Sequence, residues 1–309
     1  MPADATLQNS TDPRDHVRRL MKDFSLEITP GSAAKIDRFS DHVRAGTRIY
    51  VTFLPGSSLK DTVAVSTRIR AEGFEPIPHI AARSLGSRGM LDESLRQLRG
   101  EADIQSVLLI AGSVSTPLGD FSDTMQVLAS GLLDKHGVRN VGLAGHPEGS
   151  PDISDERIHQ ALKWKNDFAS QTDANLYLVT QFCFQAEPII AWDRKLRQEG
   201  NRLPIHVGVP GLATIKTLIS HARACGIGTS MTFLTRQAMN VAKLLTVSTP
   251  DHLISTLATY QAQDASCGIV GVHMYPLGGL KRTADWSYAV ADGRFDWDRT
   301  GQGFEVTET

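Results

Sequence analysis

Short apolar, β-branched runs alternate with longer amphipathic stretches along this chain, the rhythm of repeated β-α units built around a parallel sheet. Eight runs are short enough for strands: Phe24–Ile28, Thr47–Phe53, Phe74–Ile80, Gln105–Ala111, Arg139–Ala144, Asn175–Gln181, Leu203–Val209 and Cys267–Tyr275. Between them the spacing predicts helices over Ser58–Glu72, Leu91–Arg99, Ser154–Ser170, Glu187–Glu199 and Leu212–Ala224. Asp61 and Glu93 are expected in first turns, where negative charge complements the helix dipole. Gly73, Gly100 and Gly200 are expected just past helix ends, where a left-handed residue terminates the helix.

Eight such units predict a single (β/α)8 TIM barrel, with residues 1–22 as an N-terminal extension and helix and 23–309 as the barrel and its tail. A doubly wound open sheet is the rival, but its GxGxxG turn after the first strand is missing. The stretch before the last strand is too long for one helix and is divided into Phe233–Thr246 and Asp251–Gln263. The segment after Gly278, with Trp286, Tyr288, Phe295 and Trp297, reads as a tail.

Composition narrows the classes without changing this picture. With 309 residues, 41% apolar and 21% charged, the chain has the make-up of an ordinary globular protein. A formal net charge of −2 leaves no electrostatic footprint for nucleic acid or an anionic membrane. Three scattered cysteines make neither a disulfide framework nor a CxxC metal site. The polar N-terminus lacks the pattern of a secretory signal and no stretch is apolar enough to span a bilayer, so a cytoplasmic location is expected.

In a barrel, polar residues at the carboxyl ends of the strands face the site. Here those ends carry Glu27, Thr52, His79, Gly112 with Ser113, His146, Thr180 with Gln181, and His273 with Tyr275. A carboxylate inside the apolar run around Glu27 is costly to desolvate, and burial would raise its pKa toward the range of a general acid. The same local pattern also fits a glutamate on the solvent side of an edge strand or in a structural ion pair. His79 suits either a ligand contact or a satisfied structural histidine. His79, His146 and His273 carry no HxH or HExxH spacing, so no metal is expected. Gln181 is an amide able to donate and accept, suited to an amide-bearing heterocycle or to capping a loop. Lys163 and Lys165 flank Trp164 on a predicted helix, where one cation can meet a phosphate while most such pairs are solvated. No GxSxG is present for acyl transfer.

Taken in order, these strand ends resemble those of methylenetetrahydrofolate reductases from about Phe24 to Leu280. Phe24-Ser-Leu-Glu-Ile-Thr-Pro-Gly is similar to the family's FSFEFFPP, Val51-Thr-Phe to VTYGA, and Pro78-His-Ile to PHLTC. Val107-Leu-Leu-Ile-Ala-Gly-Ser stands where the family has ILALRGD, and Gly142-Leu-Ala-Gly-His-Pro-Glu where it has a VAGYPE-like run. Leu162-Lys-Trp-Lys, Val179-Thr-Gln-Phe-Cys-Phe, Val207-Gly-Val-Pro-Gly-Leu and His273-Met-Tyr follow in register with LKRK, ITQFFFD, IPGILP and HFYTLN.

The resemblance implies an FAD-dependent oxidoreductase of one-carbon metabolism and methionine biosynthesis. NADH or NADPH would reduce the flavin, and the enzyme would interconvert 5,10-methylene- and 5-methyltetrahydrofolate. It implies Glu27 as general acid, Gln181, Phe233 and Tyr275 as folate contacts, and Thr52, His79, Gly112, Ser113, His146 and Lys165 as flavin contacts. It also implies a homo-oligomer, a small-molecule folate substrate, and neither nucleic-acid nor membrane partners. The chain departs from the pattern where Ala111-Gly112-Ser113 replaces Arg-Gly-Asp, His146 a tyrosine, Ser150 a histidine, and Gly278-Gly279 an Asn-Arg pair. Those departures keep two alternatives open: a folate oxidoreductase using the nicotinamide directly without flavin, and a non-catalytic folate- or flavin-binding partner of a methyltransferase.

Overall fold

The computed structural model describes residues 10–54, 56–224 and 244–307. Its main sheet holds eight strands: β1 (Ser25–Ile28), β2 (Arg48–Val51), β3 (Glu75–Ala81), β4 (Ser106–Ile110), β5 (Asn140–Gly145), β6 (Asn175–Phe182), β7 (Ile205–Pro210) and β8 (Ile269–Tyr275). They follow one another in sequence order and close, β8 beside β1, so the expected (β/α)8 barrel is the fold and the open sheet is excluded. Each of the eight apolar runs became a strand, with ends shifted by no more than two residues.

The helices are α1 (Pro13–Met21), α2 (Pro30–Ala33), α3 (Leu59–Ala71), α4 (Arg88–Ala102), α5 (Thr124–Ala129), α6 (Leu132–Lys135), α7 (Asp155–Phe168), α8 (Ala186–Gln198), α9 (Ile215–Ala224), α10 (Asp251–Gln263) and α11 (Leu280–Ala291). The expected helix Phe233–Thr246 lies for the most part outside the described residues. Two compact units can be distinguished: Ser25–Gly145 with Glu156–Val179, and Met1–Phe24 with His146–Asp155 and Thr180–Thr309.

In the first unit, strand alternation sends every second residue into the barrel lumen. Tyr50 of β2 and Tyr177 of β6 come from strands far apart around the sheet, yet their hydroxyls meet at 2.9 Å. Only the lumen allows that contact. Ile77, Leu108 and Val179 complete this packed layer. Gly142 makes room for it, because a β-carbon there would lie 2.9 Å from Leu108 Cδ1 and 3.1 Å from the Tyr177 hydroxyl.

Helix ends follow local chemistry. Ser58 caps α3 by accepting from the Asp61 amide at 3.2 Å, with Asp61 in the first turn as expected, and Gly73 and Gly200 adopt positive φ after α3 and α8. Two boundaries differ. Helix α4 starts at Arg88, earlier than its apolar spacing suggests, because Ser87 caps it; Glu93 therefore sits in the second turn. Gly100 lies inside α4, and Asp103 at φ 40° ends it instead.

In the second unit, the stretch after Gly278 is no tail. It forms α11 and an antiparallel ribbon of Phe295–Trp297 with Phe304–Val306. Trp286, Phe295 and Trp297 pack around Phe304 there, Trp286 stacked, Phe295 tilted with ring centroids 4.4 Å apart, and Trp297 edge-on. Helix α11 buries Thr283, Ala284, Ser287 and Ala289 beside Trp286 and Val290, so small and polar residues dilute its helical period. Helix α1 packs Val17, Leu20 and Met21 inward, and Arg14 donates to the Gly293 carbonyl at 2.7 Å and lies over the Phe295 ring.

A polar anchor of this unit is Asp193 on α8, which is fully buried. Its carboxylate accepts from the Tyr260 hydroxyl at 2.6 Å and the Gly268 amide at 3.1 Å, and lies 3.2 Å from Arg197 Nε. Arg197 also pairs with Asp264 at 3.0 Å. The cluster ties α8, α10 and the entry to β8 together. Removing one partner of a buried, hydrogen-bonded charge strands the others, so Asp193→Ala should cost about 3 kcal/mol. Urea unfolding of the variant beside the parent checks this, and a loss below about 1 kcal/mol would show that the cluster is not the anchor.

Candidate functional site

The strand ends of the first unit bring Glu27 and His79 together. Glu27 stands opposite Tyr50 in the β1–β2 register, so its side chain shares the lumen face of that packed layer. His79, opposite Leu108, is next above Ile77 on the same face of β3. The Glu27 carboxylate and His79 Nε2 are 3.4 Å apart, with side chains 13% and 6% exposed. The Tyr50 ring meets the imidazole edge-on at 6.1 Å between centroids. Burial pushes the Tyr177 hydroxyl up in pKa against the opposing effect of its bond to Tyr50.

Thr52 follows β2, where its amide donates to the Ile28 carbonyl at 2.9 Å. Its buried hydroxyl makes no hydrogen bond among the described residues. After β4 the chain turns at Gly112 with φ 88°, and a β-carbon there would press on Ala81 at 3.3 Å. Both the backbone angle and the neighbour favour glycine. Ser113 is exposed. On α7, Lys163 points to solvent while Lys165 is 6% exposed. No hydrogen bond or ion pair joins the Lys165 ammonium to a described residue, and burial pushes its pKa down to about 8, opposed by the Asp123 carboxylate.

In the second unit, β6 ends in Thr180-Gln181. The Thr180 hydroxyl is buried, donating to the Gln181 carbonyl at 2.7 Å and accepting from the Gly208 amide at 2.8 Å. A β-carbon on Gly208 would collide with the Thr180 and Gln181 carbonyls, so this close approach requires glycine. The Gln181 backbone is thus held from both sides, while its carboxamide makes no hydrogen bond among the described residues. Tyr275 donates to the Thr180 carbonyl at 2.9 Å, and its ring sits edge-on to Phe182 and His273 at 5.3 and 4.7 Å. His273 is fully buried. Cys183 is also buried, which raises its thiol pKa and leaves it a poor nucleophile. His146 opens a turn closed by the Gly149 amide on its carbonyl at 3.1 Å. Phe233 lies outside the described residues.

Among the described residues no three His, Cys, Asp or Glu side chains form a group able to hold a metal. No described helix is long and apolar enough to cross a membrane. Sequence reasoning missed Tyr50, Tyr177 and Arg83. The two tyrosines were hidden in apolar runs, where only the parity shared by Glu27 and Tyr50 would have marked the lumen. Arg83 lies just past the third apolar run, in a stretch that read as loop.

No protein-family model matches the chain. A segment of 88 residues is 32% identical to Methylenetetrahydrofolate reductase 1 of Schizosaccharomyces pombe (strain 972 / ATCC 24843), spanning 28% of this chain and only 14% of that relative. Among solved structures, a Clostridium thermocellum protein that binds two copies of 5-methyl-5,6,7,8-tetrahydrofolic acid aligns over 90% of this chain and 96% of its own, with 12% identity and a TM-score of 0.49. A chitinase from Rhizomucor miehei aligns over 88% and 100% at 14% identity, TM-score 0.48. Dihydropteroate synthase from Thermus thermophilus aligns over 87% and 92% at 14% identity, TM-score 0.40. Likeness at these scores assigns no chemistry.

Lys165 gives a pH-dependent test of the site. Its folded pKa of about 8 lies below the ordinary 10.5, so between those values the unfolded chain binds more protons and stability rises with pH. Below pH 8 the native state carries the full cost of a buried charge, about 3 kcal/mol. Lys165→Met should therefore be more stable than the parent at pH 7 by up to that amount, with the gap closing between pH 8 and 10.5. Denaturant melts at pH 7, 9 and 10.5 measure it, and equal stability at pH 7 would mean the ammonium is solvated.

Proposed function

We propose that this protein is an FAD-dependent reductase interconverting 5,10-methylene- and 5-methyltetrahydrofolate with NADH or NADPH. The observation that carries the reading is Glu27, a carboxyl group held in the lumen at the end of β1 and 3.4 Å from His79. The aligned reductase segment and the ordered strand-end motifs support it. Opening the folate's five-membered ring needs a proton on the departing ring nitrogen, and a largely desolvated carboxyl is suited to supply it. Proton transfer from Glu27 leaves the bridge carbon electrophilic. His79 lies 3.4 Å from the carboxyl, and the Gln181 carboxamide, with its backbone clamped, offers a donor and an acceptor to the pterin edge. Tyr275, already bonded to the Thr180 carbonyl, contributes its ring face or edge rather than its hydroxyl.

The residues of the first unit fit a flavin dinucleotide in kind. The buried Thr52 hydroxyl and the buried Lys165 ammonium both lack a protein partner among the described residues, and Gly112 turns at positive φ against the end of β3. Thr52 and His79 would then contact the ring system, Gly112 and Ser113 would lie along it, and Lys165 would face the diphosphate. When bound, FAD supplies the two-electron centre between the nicotinamide and the folate carbon. One observation favours the second reading, direct use of the nicotinamide: Ser113 is an exposed hydroxyl where the resembling family carries a carboxylate.

Anaerobic absorbance spectra separate the readings. Purified protein should carry flavin that bleaches with NADH or NADPH and recovers its colour with methylenetetrahydrofolate. Glu27→Gln should keep the first half-reaction and slow the second by about 10²- to 10⁴-fold. Recovery at the parent rate would end the acid assignment, and colourless protein that still couples NADH or NADPH to folate would establish the flavin-free reading.

A further inference from the structure

The turn after β3 holds a cation that the proposed chemistry leaves unused. Arg83 lies on the short turn Ala82–Ser84, and its backbone is joined to the loop after β4 twice, its amide donating to the Ala111 carbonyl and its carbonyl accepting from Leu118, both at 2.9 Å. The same two loops touch where a side chain on Gly119 would collide with the Gly86 carbonyl. Arg83 Nε donates to the Ser122 carbonyl at 2.9 Å, while the two terminal nitrogens of the guanidinium make no hydrogen bond or ion pair among the described residues. The side chain is half-buried and held at one corner of its fork.

Lys165 approaches the same place from α7. It feels the carboxylate of Asp123, the residue after Ser122, and that carboxylate is engaged with the Met125 and Gln126 amides at 2.9 and 3.0 Å as the cap of α5. The Ser122-Asp123 pair is therefore met by one guanidinium with free donors and one ammonium that is 6% exposed. Neither cation makes an ion pair among the described residues, the Asp123 carboxylate is already engaged by backbone amides, and burying a cation without a partner is unfavourable unless a ligand supplies the anion.

We infer that Arg83 and Lys165 form an oxyanion site beside the Ser122-Asp123 pair, in which the free fork of Arg83 grips a phosphate or carboxylate arm of the bound ligand. The guanidinium is suited to two parallel hydrogen bonds, and its fixed Nε removes part of the ordering cost. For the identity of the ligand, diphosphate of a dinucleotide or carboxylates of a glutamyl tail, the inference rests on the flavin and folate reading.

Titration calorimetry of full-length protein with FAD, riboflavin, and mono- and triglutamyl tetrahydrofolate tests it. Arg83→Gln should weaken the anionic ligand by about 10- to 100-fold, the range of charge-assisted hydrogen bonds, and leave its less charged counterpart within about threefold. A loss for FAD and not riboflavin identifies the diphosphate. A loss for the triglutamyl and not the monoglutamyl folate identifies the carboxylates. Arg83→Lys keeps the charge without the fork and should be intermediate, and thermal melts confirm that each variant is folded. Unchanged affinity for all four ligands in Arg83→Gln overturns the inference while leaving the proposed reaction intact. If the parent binds neither flavin nor folate, the reaction fails and inorganic pyrophosphate decides the site: stabilisation of the parent but not of Arg83→Gln upholds it, and no stabilisation of the parent overturns it.

Discussion

A closed barrel has a lumen of fixed width, and whatever the strands send into it has to be satisfied there. Tyr50 and Tyr177 show how this chain meets the constraint: two phenols from distant strands answer each other at 2.9 Å, and Gly142 gives up its side chain to leave them space. Their layer is the floor under Glu27 and His79. Because the floor is packed, the carboxyl above it faces an imidazole rather than water below. The surroundings of the Glu27 carboxyl thus follow from packing one residue deeper than the Glu27–His79 pair itself.

The barrel was legible in the sequence because parallel strands, covered on both faces, must be almost continuously apolar, and each such run stands apart from the amphipathic helix that follows. What the pattern lost were elements stabilised by other means. Helix α11 buries threonine, serine and alanine beside Trp286 and Val290, which dilutes its apolar stripe, and Asp103 ends α4 in a left-handed conformation that sequence reasoning assigns to glycine. Of the candidate site, Glu27 and His79 were visible as polar interruptions of apolar runs, and they do meet. Gln181 and Tyr275 were visible in the same way, but Tyr275 spends its hydroxyl on the Thr180 carbonyl, a partner that no spacing reveals. Arg83 was hidden because its role depends on a hydrogen bond to Ser122, 39 residues away.

The second unit secures itself differently. Its N-terminal helix and C-terminal ribbon are joined through Arg14, which binds the Gly293 carbonyl and covers Phe295, while Asp193 gathers donors from α8, α10 and the entry to β8. These contacts lie away from the polar strand ends. The division matters for evolution of function, since residues at the strand ends can change without disturbing Asp193 or the aromatic ribbon.

Lys165 runs against that division, and its energetics explain why such a residue persists. A lysine that is 6% exposed and makes no ion pair among the described residues lowers stability at neutral pH, and a methionine of similar length would fill the same space without that cost. Sites that bind charge are commonly built at the expense of stability, because the field that would neutralise the cation is left for the ligand to provide. The deficit and the binding energy are then one quantity read in two states: an oxyanion that restores the ammonium's lost solvation recovers stability as it binds. Arg83 contributes to the same balance with less strain, since its Nε is already satisfied and only the outer fork waits for a partner.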